Sequence, residues 1–283
     1  MAITRGACLI SNTTALQLPN LPAWVEASIA FEPGALLPFV SGGDRVGWVR
    51  DDLRMVLGAR WSSHFVVRDG AMHFADRFDS FDARRDAMSE VLEHLRATGW
   101  VRGWRNEHYS VYGESDDAPK FSMERAAVRR FGVRGQAAHV NGYTRTPDGL
   151  ALWIGERSAS KQIDAGRLDN LVGGGIAVGS TPQATLIKEC WEEAGIPAAM
   201  AQRAVAIGTL RFACRDEEGV DANLVHAFDL ELPPNFTPHN QDGEVARFER
   251  VLATELPARL AETNRFTLDA ALVTADWLAR HRG

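Results

Sequence analysis

The chain has 283 residues, of which 45% are hydrophobic and 24% are charged, and its formal net charge at pH 7 is −6. These proportions are typical of soluble globular proteins, so they exclude fibrous and disordered classes, and the length is sufficient for two domains. The negative charge argues against a broad electrostatic contact with nucleic acid or with anionic lipid.

The first residues, MAITRGACLISNTTALQLPN, contain no sustained apolar run of the kind that a signal peptide requires. No later segment approaches the roughly 18 apolar residues of a membrane-spanning helix. Cys8, Cys190 and Cys214 are widely separated and form no CxxC pair, which argues against a disulfide framework and against a thiolate zinc site. We therefore expect a cytoplasmic protein in a reducing compartment.

Between residues 31 and 112, short strand-like patterns alternate with helical ones. The segment HFVVRDGAMHFA predicts a β-hairpin with Asp69 and Gly70 at its turn. In DARRDAMSEVLEHLRATG, apolar residues recur at helical spacing, with Asp82 as the predicted cap and Gly99 as the predicted stop. This part of the chain is predicted to be an α+β module.

The polar, turn-rich segment GESDDAPK, residues 113 to 120, is predicted to be a linker. We therefore expect a smaller α+β domain over residues 1–116 and a second domain over residues 117–283. The second domain contains strand-like runs, a glycine-rich segment, one distinct helix and two C-terminal helical patterns. The strand-like runs are QAAHVNGY, LALWIGER, VAIGTLRFAC and NLVHAFDLEL.

The helix that follows the glycine-rich segment LVGGGIAVG has clear end signals. Thr181 precedes a proline and is predicted to be the N-cap, whereas Gly195 is predicted to end the helix. The helix should therefore span about Pro182 to Ala194.

Three carboxylates lie on one face of this helix, in the segment KECWEEAGI: Glu189, Glu192 and Glu193. Like charges at these spacings destabilise an isolated helix by roughly 0.2 to 0.5 kcal/mol per pair. The apolar face is predicted to include Cys190 and Trp191. The helix alone is consistent either with a solvated acidic face or with a site for a bound cation.

The glycines before the helix favour the cation. Gly173, Gly174, Gly175 and Gly179 can bring backbone groups close to a ligand where side chains would block its approach. The segment has neither the GK[ST] ending of a phosphate-binding P-loop nor the GxGxxG spacing of a dinucleotide fold. What it resembles is the Nudix box, in a register that runs from Gly174 to Ile196.

The residues that match the helical part of the box are Glu189, Glu192, Glu193, Gly195 and Ile196. Two positions depart from the pattern, because Lys188 stands at the box arginine and Ser180 at the upstream glutamate. These two usually pair in the family, so their joint replacement is predicted to be one structural exchange. Cys190 stands at an aliphatic position and is small and apolar enough to pack there.

The resemblance extends to a subgroup of Nudix proteins related to the part fused to thiamine pyrophosphokinase in some fungi. It is carried by segments such as GWRNEHYSVYG, ERAAVRRFGVRGQAAHVNGY, LDNLVGGGIAVG and LPPNFTPHNQDGEV, whereas the kinase part is absent. It implies an α+β fold, a Nudix α/β/α sandwich with a mixed sheet preceded by the smaller domain. The chain departs from the subgroup at Ile163, Asp164 and Ala165, before the box.

The resemblance also implies the chemistry of the site. Glu189, Glu192 and Glu193 would hold Mg²⁺ or Mn²⁺, with help from a backbone carbonyl near Gly173, and hard oxygen ligands suit these ions. Glu244, in NQDGEV, matches a late glutamate that the family often uses as metal ligand or base. Glu189 and Glu244 are therefore the predicted catalytic residues.

The predicted substrate contacts come from two segments. Arg157 and Lys161, in ERSASK, are candidates for contacting phosphate oxygens, with solvated loop charges as the alternative. In GWRNEHY, Trp104 could stack on an aromatic ring, and Asn106 or Glu107 could read its polar edge. The N-terminal module is accordingly predicted to select the substrate.

His139 and His226 lie in strand-like apolar runs and are predicted to be packed or hydrogen-bonded core residues. The predicted function is metal-dependent hydrolysis of thiamine diphosphate or its oxo analogues to the monophosphate and phosphate. The alternatives are a hydrolase of nucleotide-type diphosphates such as ADP-ribose or NADH, a non-catalytic Nudix-like binding protein, and an isopentenyl diphosphate isomerase-like enzyme. The expected partner is a small-molecule diphosphate rather than nucleic acid or a membrane, and a homodimer is left open.

Overall fold

A computed structural model describes residue 18, residues 21–114 and residues 118–281. The N-terminal part contains, in chain order, α1 (Ala23–Ile29), β1 (Leu37–Ser41), β2 (Asp44–Val49), α2 (Asp51–Arg60), β3 (Phe65–Arg68), β4 (Ala71–Phe74), α3 (Phe81–Ala97), β5 (His108–Tyr112) and β6 (Pro119–Glu124). After a 3-10 turn (Arg125–Ala127) come β7 (Arg134–Thr146), β8 (Gly149–Arg157), β9 (Leu168–Asp169), β10 (Val172–Gly175), α4 (Pro182–Ala194), α5 (Ala198–Ala201), β11 (Val205–Arg215), β12 (Val220–Glu231), β13 (Val245–Leu252), α6 (Leu256–Ala261) and α7 (Leu268–Arg280).

The N-terminal sheet has the strand order β2-β1-β4-β3, with β1 and β4 parallel and the other pairs antiparallel. The predicted hairpin is confirmed as β3 and β4. Asp69 and Gly70 form its turn with φ values of 50° and 72°, a conformation that glycine and aspartate adopt most readily.

Helix α3 packs against β6 and into the core that this sheet also lines, through the predicted apolar face, whose buried residues include Met88, Val91, Leu92 and Leu95. The predicted cap is wrong. Ser80 Oγ accepts a hydrogen bond from the Ala83 N–H at 3.2 Å, so the helix begins one residue before Asp82. The Asp82 carboxylate instead accepts from Arg85 one turn along the helix.

The predicted linker lies between two paired strands, because β5 and β6 pair on either side of it and Tyr112 lies opposite Pro119. Phe121 and Phe131, which follow it, are buried in the same core as α3. Strands on both sides of the predicted linker therefore contribute to the same core. The predicted division between residues 116 and 117 lies outside the described residues and stays a prediction.

The second sheet has the order β11-β12-β7-β8-β13, while β10 pairs with β7 and β9 with β8. It is mixed, since β12 and β7 are parallel and the other pairs antiparallel. Along β12 the side chains alternate: Val225 and Ala227 pack with α6 and α7, whereas Phe228 and Leu230 pack with α4. The predicted α+β fold with an α/β/α sandwich is confirmed.

Helix α1 precedes the N-terminal sheet in the chain but packs on the second domain. Val25 is buried in the core formed by α6 and α7, and Trp24 Nε1 donates to the Leu260 carbonyl at 2.7 Å. The first described helix therefore belongs to the core of the second domain, although the N-terminal sheet follows it in the chain. No helix in the described part is both long and apolar enough to cross a membrane.

Candidate active site

Helix α4 has the predicted ends. Thr181 Oγ1 accepts from the Ala184 N–H at 3.1 Å, and Gly195 has a φ of 63°, the left-handed conformation that ends many helices. Cys190 is fully buried as predicted, but Trp191 is 54% exposed, so its assignment to the apolar face is wrong. Trp191 lies at the edge of the apolar arc, where the helix surface turns toward solvent.

The side chain of Glu193, a residue of this helix, contacts the glycine loop. Its side chain is 5% exposed, and its Oε2 accepts from the Gly173 N–H at 2.9 Å. Burial, together with the charges of Asp169 and Glu189, raises the pKa of Glu193 well above its ordinary value. The carboxylate is therefore in surroundings where added positive charge would stabilise its ionised form.

Glu189 is in a similar environment. Its side chain packs on the glycine loop so closely that a Cβ atom on Gly174 would lie 2.4 Å from Glu189 Cγ. Burial raises the pKa of Glu189, and the charges of Glu192 and Glu244 add to the effect. Any side chain at position 174 would therefore force the Glu189 side chain to shift.

The two departures from the Nudix box do not contact each other. Lys188 Nζ lies 3.1 Å from Glu189 Oε1 and 2.6 Å from Glu192 Oε2, whereas Ser180 Oγ lies 2.9 Å from Thr185 Oγ1. Ser180 therefore contacts a hydroxyl group of the same helix rather than Lys188. The lysine ammonium meanwhile balances two of the glutamates.

The donor chemistry of α4 fits a divalent cation. Three carboxylates on one helix, two of them largely buried with raised pKa values, supply hard oxygen ligands that lack enough positive charge nearby. Among the described residues no group of three or more acidic, histidine or cysteine side chains converges on one metal position. The assignment of Glu189, Glu192 and Glu193 as metal ligands therefore stays a prediction.

Gly173 was predicted to offer its carbonyl to the metal. The structure shows that its N–H group binds Glu193, which fixes the loop against the helix. A metal contact from the carbonyl stays a prediction. The same holds for the choice between Mg²⁺ and Mn²⁺.

Glu244 comes to the site from the opposite side. It lines a small pocket together with Arg157, Asp169 and Glu193, and its side chain forms an ion pair with Lys161. Burial acts to raise the pKa of Glu244, but the hydrogen bond and charge of Lys161 hold it below its ordinary value. Two predicted residues, one acidic and one basic, are thus brought together, and their catalytic and phosphate-binding roles stay predictions.

Arg157 also lines the pocket, but its guanidinium is already engaged. Nη1 donates to Asp169 Oδ2 at 2.9 Å, and Nη2 donates to the Ile163 carbonyl at 3.1 Å. Asp169 was missed in the sequence. The signal was present in LDNLVGGG, where two polar residues stand inside a buried strand pattern just before the glycines.

A buried polar network lies beneath the glycine loop. His139 Nδ1 is 2.9 Å from Asn170 Oδ1, and Asn170 Nδ2 donates to Asn141 Oδ1 and Thr274 Oγ1 at 3.1 Å each. His139 is therefore the hydrogen-bonded core residue that was predicted. His226 is half-buried, and its Nε2 lies 3.4 Å from the Gln136 side-chain oxygen, which confirms the same prediction there.

The predicted aromatic contact segment belongs to the N-terminal core. Trp104 Nε1 donates to Asn106 Oδ1 at 2.9 Å, and the Arg96 guanidinium lies 4.8 Å from the Trp104 ring centroid. Glu107 Oε2 accepts from Arg125 Nη1 at 2.7 Å. None of the three predicted residues lines the pocket around Glu193 and Glu244, so their contact with substrate stays a prediction.

Strand β5 nevertheless touches the glycine loop directly. The Val178 N–H donates to the His108 carbonyl at 2.9 Å, and the Tyr109 hydroxyl lies against the backbone of Gly175. Sequence reasoning missed this contact, since no local pattern links the two segments. The N-terminal domain therefore forms part of the surroundings of the site.

Neither of the two candidate thiols of an isomerase lines the pocket. Cys190 is fully buried in the core behind α4, and burial raises its pKa to about 12. Cys214 lies in β11. The structure therefore does not support the isomerase alternative.

A mixed sheet between helices, with a glutamate-bearing helix packed behind a glycine loop, is a Nudix fold. The sequence profile of the NUDIX domain matches residues 136–271, and that of a domain of unknown function, DUF4743, matches residues 23–135.

Two proteins of Arabidopsis thaliana are similar along most of the chain. Nudix hydrolase 20, chloroplastic, is 34% identical over 258 residues, which cover 88% of this chain and 68% of the relative. Nudix hydrolase 24, chloroplastic, is 35% identical over 250 residues, with the same two coverages, 88% and 68%. A solved structure, DR0079 from Deinococcus radiodurans, matches 62% of this chain and 100% of its own at 22% identity, with a TM-score of 0.45. The chain belongs to the Nudix hydrolase family and is an enzyme of that family.

Proposed function

We propose that this enzyme hydrolyses the diphosphate linkage of a small organic diphosphate. The observation that carries the proposal is the convergence of Glu193, from the acidic face of α4, and Glu244 on one pocket, with Lys161 beside Glu244. Cleavage of a P–O–P linkage requires positive charge against the phosphate oxygens and a base for the attacking water. This pocket holds residues of both kinds.

Glu244 is suited to the role of base. The carboxylate is ionised at neutral pH, because Lys161 holds its pKa below the ordinary value, and it becomes a stronger base when Lys161 moves away from it. The water oxygen would form the new bond to phosphorus while the bridging P–O bond breaks. Glu189 is the second candidate for this role, and its raised pKa makes it ionise less readily without a cation.

A divalent cation held by Glu189, Glu192 and Glu193 would supply charge neutralisation at the phosphate oxygens. The chain's own cations supply a further part. Lys161 can turn from Glu244 to a phosphate oxygen, and Arg157 lies at the same pocket. Release of Lys161 by the incoming phosphate would also free Glu244.

Thiamine diphosphate or its oxo analogues are the proposed substrates, with the monophosphate and phosphate as products. The support is the resemblance of both halves of the chain to the thiamine-related subgroup. A nucleotide-type diphosphate such as ADP-ribose or NADH is the second candidate. The cytoplasmic location and a homodimeric state likewise remain proposals.

A substrate panel tests the proposal. The full chain is incubated with Mg²⁺ or Mn²⁺ and thiamine diphosphate, its oxo analogues, ADP-ribose, NADH and nucleoside diphosphates, and products are separated by chromatography. We expect cation-dependent cleavage, with the highest kcat/KM for a thiamine derivative. If a nucleotide is cleaved orders of magnitude faster, the thiamine assignment is wrong, and cleavage of none of them would refute the diphosphate proposal.

A further inference from the structure

A segment of the N-terminal domain lies beside the pocket. The backbone of Gly103 is so close to Gln162 that a Cβ atom on Gly103 would be 2.0 Å from Gln162 Oε1. Gln162 directly follows Lys161, which pairs with Glu244 at the pocket. Gly103, two residues before Arg105, therefore lies beside the loop whose Lys161 pairs with the pocket residue Glu244.

One buried carboxylate fixes the position of this segment. Glu124 is 1% exposed, and its Oε1 accepts from the Arg105 N–H at 3.0 Å and from the Ala126 N–H at 3.2 Å. The backbone segments that carry Arg105 and Arg125 are thus held together by the same atom. Because Glu124 is buried in the N-terminal core, that core fixes the backbone positions of Arg105 and Arg125.

The charges of both arginines reach the pocket. Although burial acts to raise it, the pKa of Glu244 is lowered, and Arg105 and Arg125 contribute to the lowering after Lys161. The Arg125 guanidinium is already bound to Glu107. Arg105 is exposed, and it has no ion-pair partner among the residues that the structure describes.

This distinguishes Arg105 from the cations that the Nudix domain itself supplies. Lys188, Lys161 and Arg157 are each paired with at least one carboxylate. A phosphate group would have to replace those carboxylates, whereas it could bind Arg105 without breaking an ion pair. The planar guanidinium also matches two phosphate oxygens at once.

We propose that Arg105 contacts the phosphate chain of the bound substrate, so that the N-terminal domain supplies a binding residue to the active site of the Nudix domain. The inference rests on the proposed function, because it takes the ligand of the pocket to be a diphosphate. It adds a residue from outside the family's catalytic domain. It is consistent with the contacts of the N-terminal core with the glycine loop and with Gln162.

The test compares Arg105→Ala and Arg105→Lys with Arg102→Ala in the full chain. Arg102 is the matched control, since it is an exposed arginine in the same connection between α3 and β5. Binding of imidodiphosphate, a diphosphate analogue that resists hydrolysis, is measured by calorimetry with Mg²⁺ present. Thermal unfolding of each variant verifies that the fold is kept.

We expect Arg105→Ala to weaken imidodiphosphate binding about tenfold or more, the loss typical of a charge-assisted hydrogen bond. Arg105→Lys should recover part of it, and Arg102→Ala should bind as the wild type does. On the best substrate, Arg105→Ala should raise KM more than it lowers kcat.

The inference is overturned if Arg105→Ala binds like the wild type, if Arg102→Ala loses as much affinity, or if the wild type does not bind imidodiphosphate. A further outcome distinguishes the failure of this inference from the failure of the proposed function. If binding depends on Arg105 but no organic diphosphate is cleaved, the inference stands and the proposed function fails.

Discussion

The hydroxyl oxygen of Tyr109 lies 1.5 Å from the position that a Cβ atom of residue 175 would take, where the chain has Gly175. Tyr109 is a buried residue of the N-terminal core, and Gly175 is the last residue of β10. The two domains therefore meet at the loop that supports Glu189 and Glu193. This contact makes the shape of the site dependent on both domains.

Replacement of Gly175 by alanine should disturb this contact. The added methyl group overlaps the tyrosine hydroxyl, so the ring or the loop must shift, and we expect the free energy of unfolding to fall by about 1–3 kcal/mol. Urea denaturation measures it. Gly58→Ala is the control, because no atom beyond its own helix and chain neighbours lies within 4 Å of the new methyl group. That variant should be unchanged or more stable, by up to about 1 kcal/mol. Equal effects of the two changes would show that the Tyr109 contact is not tight.

Glu193→Gln should lower kcat by at least about 100-fold, more than the loss expected from a residue that only supports a metal ligand. The amide keeps the size of the side chain and can still accept from the Gly173 N–H. Because burial raises the pKa of Glu193, the neutral amide is also easier to bury than the carboxylate. Without added metal, the variant should therefore be at least as stable as the wild type.

Steady-state kinetics and denaturation check both statements on the Glu193 variant. Glu93→Gln, on the exposed face of α3, is the control that should change neither. Turnover close to that of the wild type in Glu193→Gln would refute the assignment of this residue to the metal site.

Glu244→Gln should lower kcat far more than it changes KM, since a base acts mainly in the transition state. The Lys161→Met variant tests the role of Glu244 through the pH dependence of kcat. Without the ammonium, burial of Glu244 is no longer opposed by its main partner, so its pKa rises. The acidic limb of the kcat profile should then move to higher pH. A limb that stays in place would show that Glu244 is not the titrating base.

Much of this arrangement could be predicted because its signals are local. Thr181 and Gly195 carry their end signals within one turn of α4, and the alternation in β12 appears directly in the order of its residues. The wrong assignments concern positions where two local signals compete. Ser80 and Asp82 can both cap a helix, and Trp191 lies at the boundary between the apolar and acidic arcs.

The rest depends on segments that meet only in the folded chain. Asp169 with Arg157, and Tyr109 with Gly175, are contacts between different strands and loops. Arg105 became a candidate binding residue only because the fold places its segment against Glu124 and beside Gln162. No periodicity in one stretch of sequence contains this information.

His226 predicts a pH effect on stability away from the catalytic carboxylates. Burial lowers its pKa below the ordinary value of 6.5, so the unfolded chain binds a proton more readily than the folded one. The stability that this histidine contributes is present above pH 6.5 and is lost as the pH falls from there through the lower pKa of the folded state. His226→Gln should reduce this part of the pH dependence, as measured by denaturation across that range. If the free energy of unfolding of the variant depends on pH as steeply as that of the wild type, other groups cause the pH dependence.

Removal of the N-terminal domain by a cut near Lys120 should not yield a native Nudix domain. Such a chain loses β5, the partner of β6, and exposes Phe121 and Met123, which are fully buried. It also loses α1, whose Val25 is buried against α6 and α7.

We expect this shortened chain to aggregate or to unfold without cooperativity in thermal circular dichroism. The control is the full chain, which keeps every described helix and strand and should unfold cooperatively. A soluble, cooperatively folded product of the Lys120 cut, with an unchanged Tm, would contradict the shared core. Because deletion removes packing and substrate contacts together, the role of the N-terminal domain in substrate selection has to be measured with point variants such as Arg105→Ala and Trp104→Ala, whose KM values separate binding from folding.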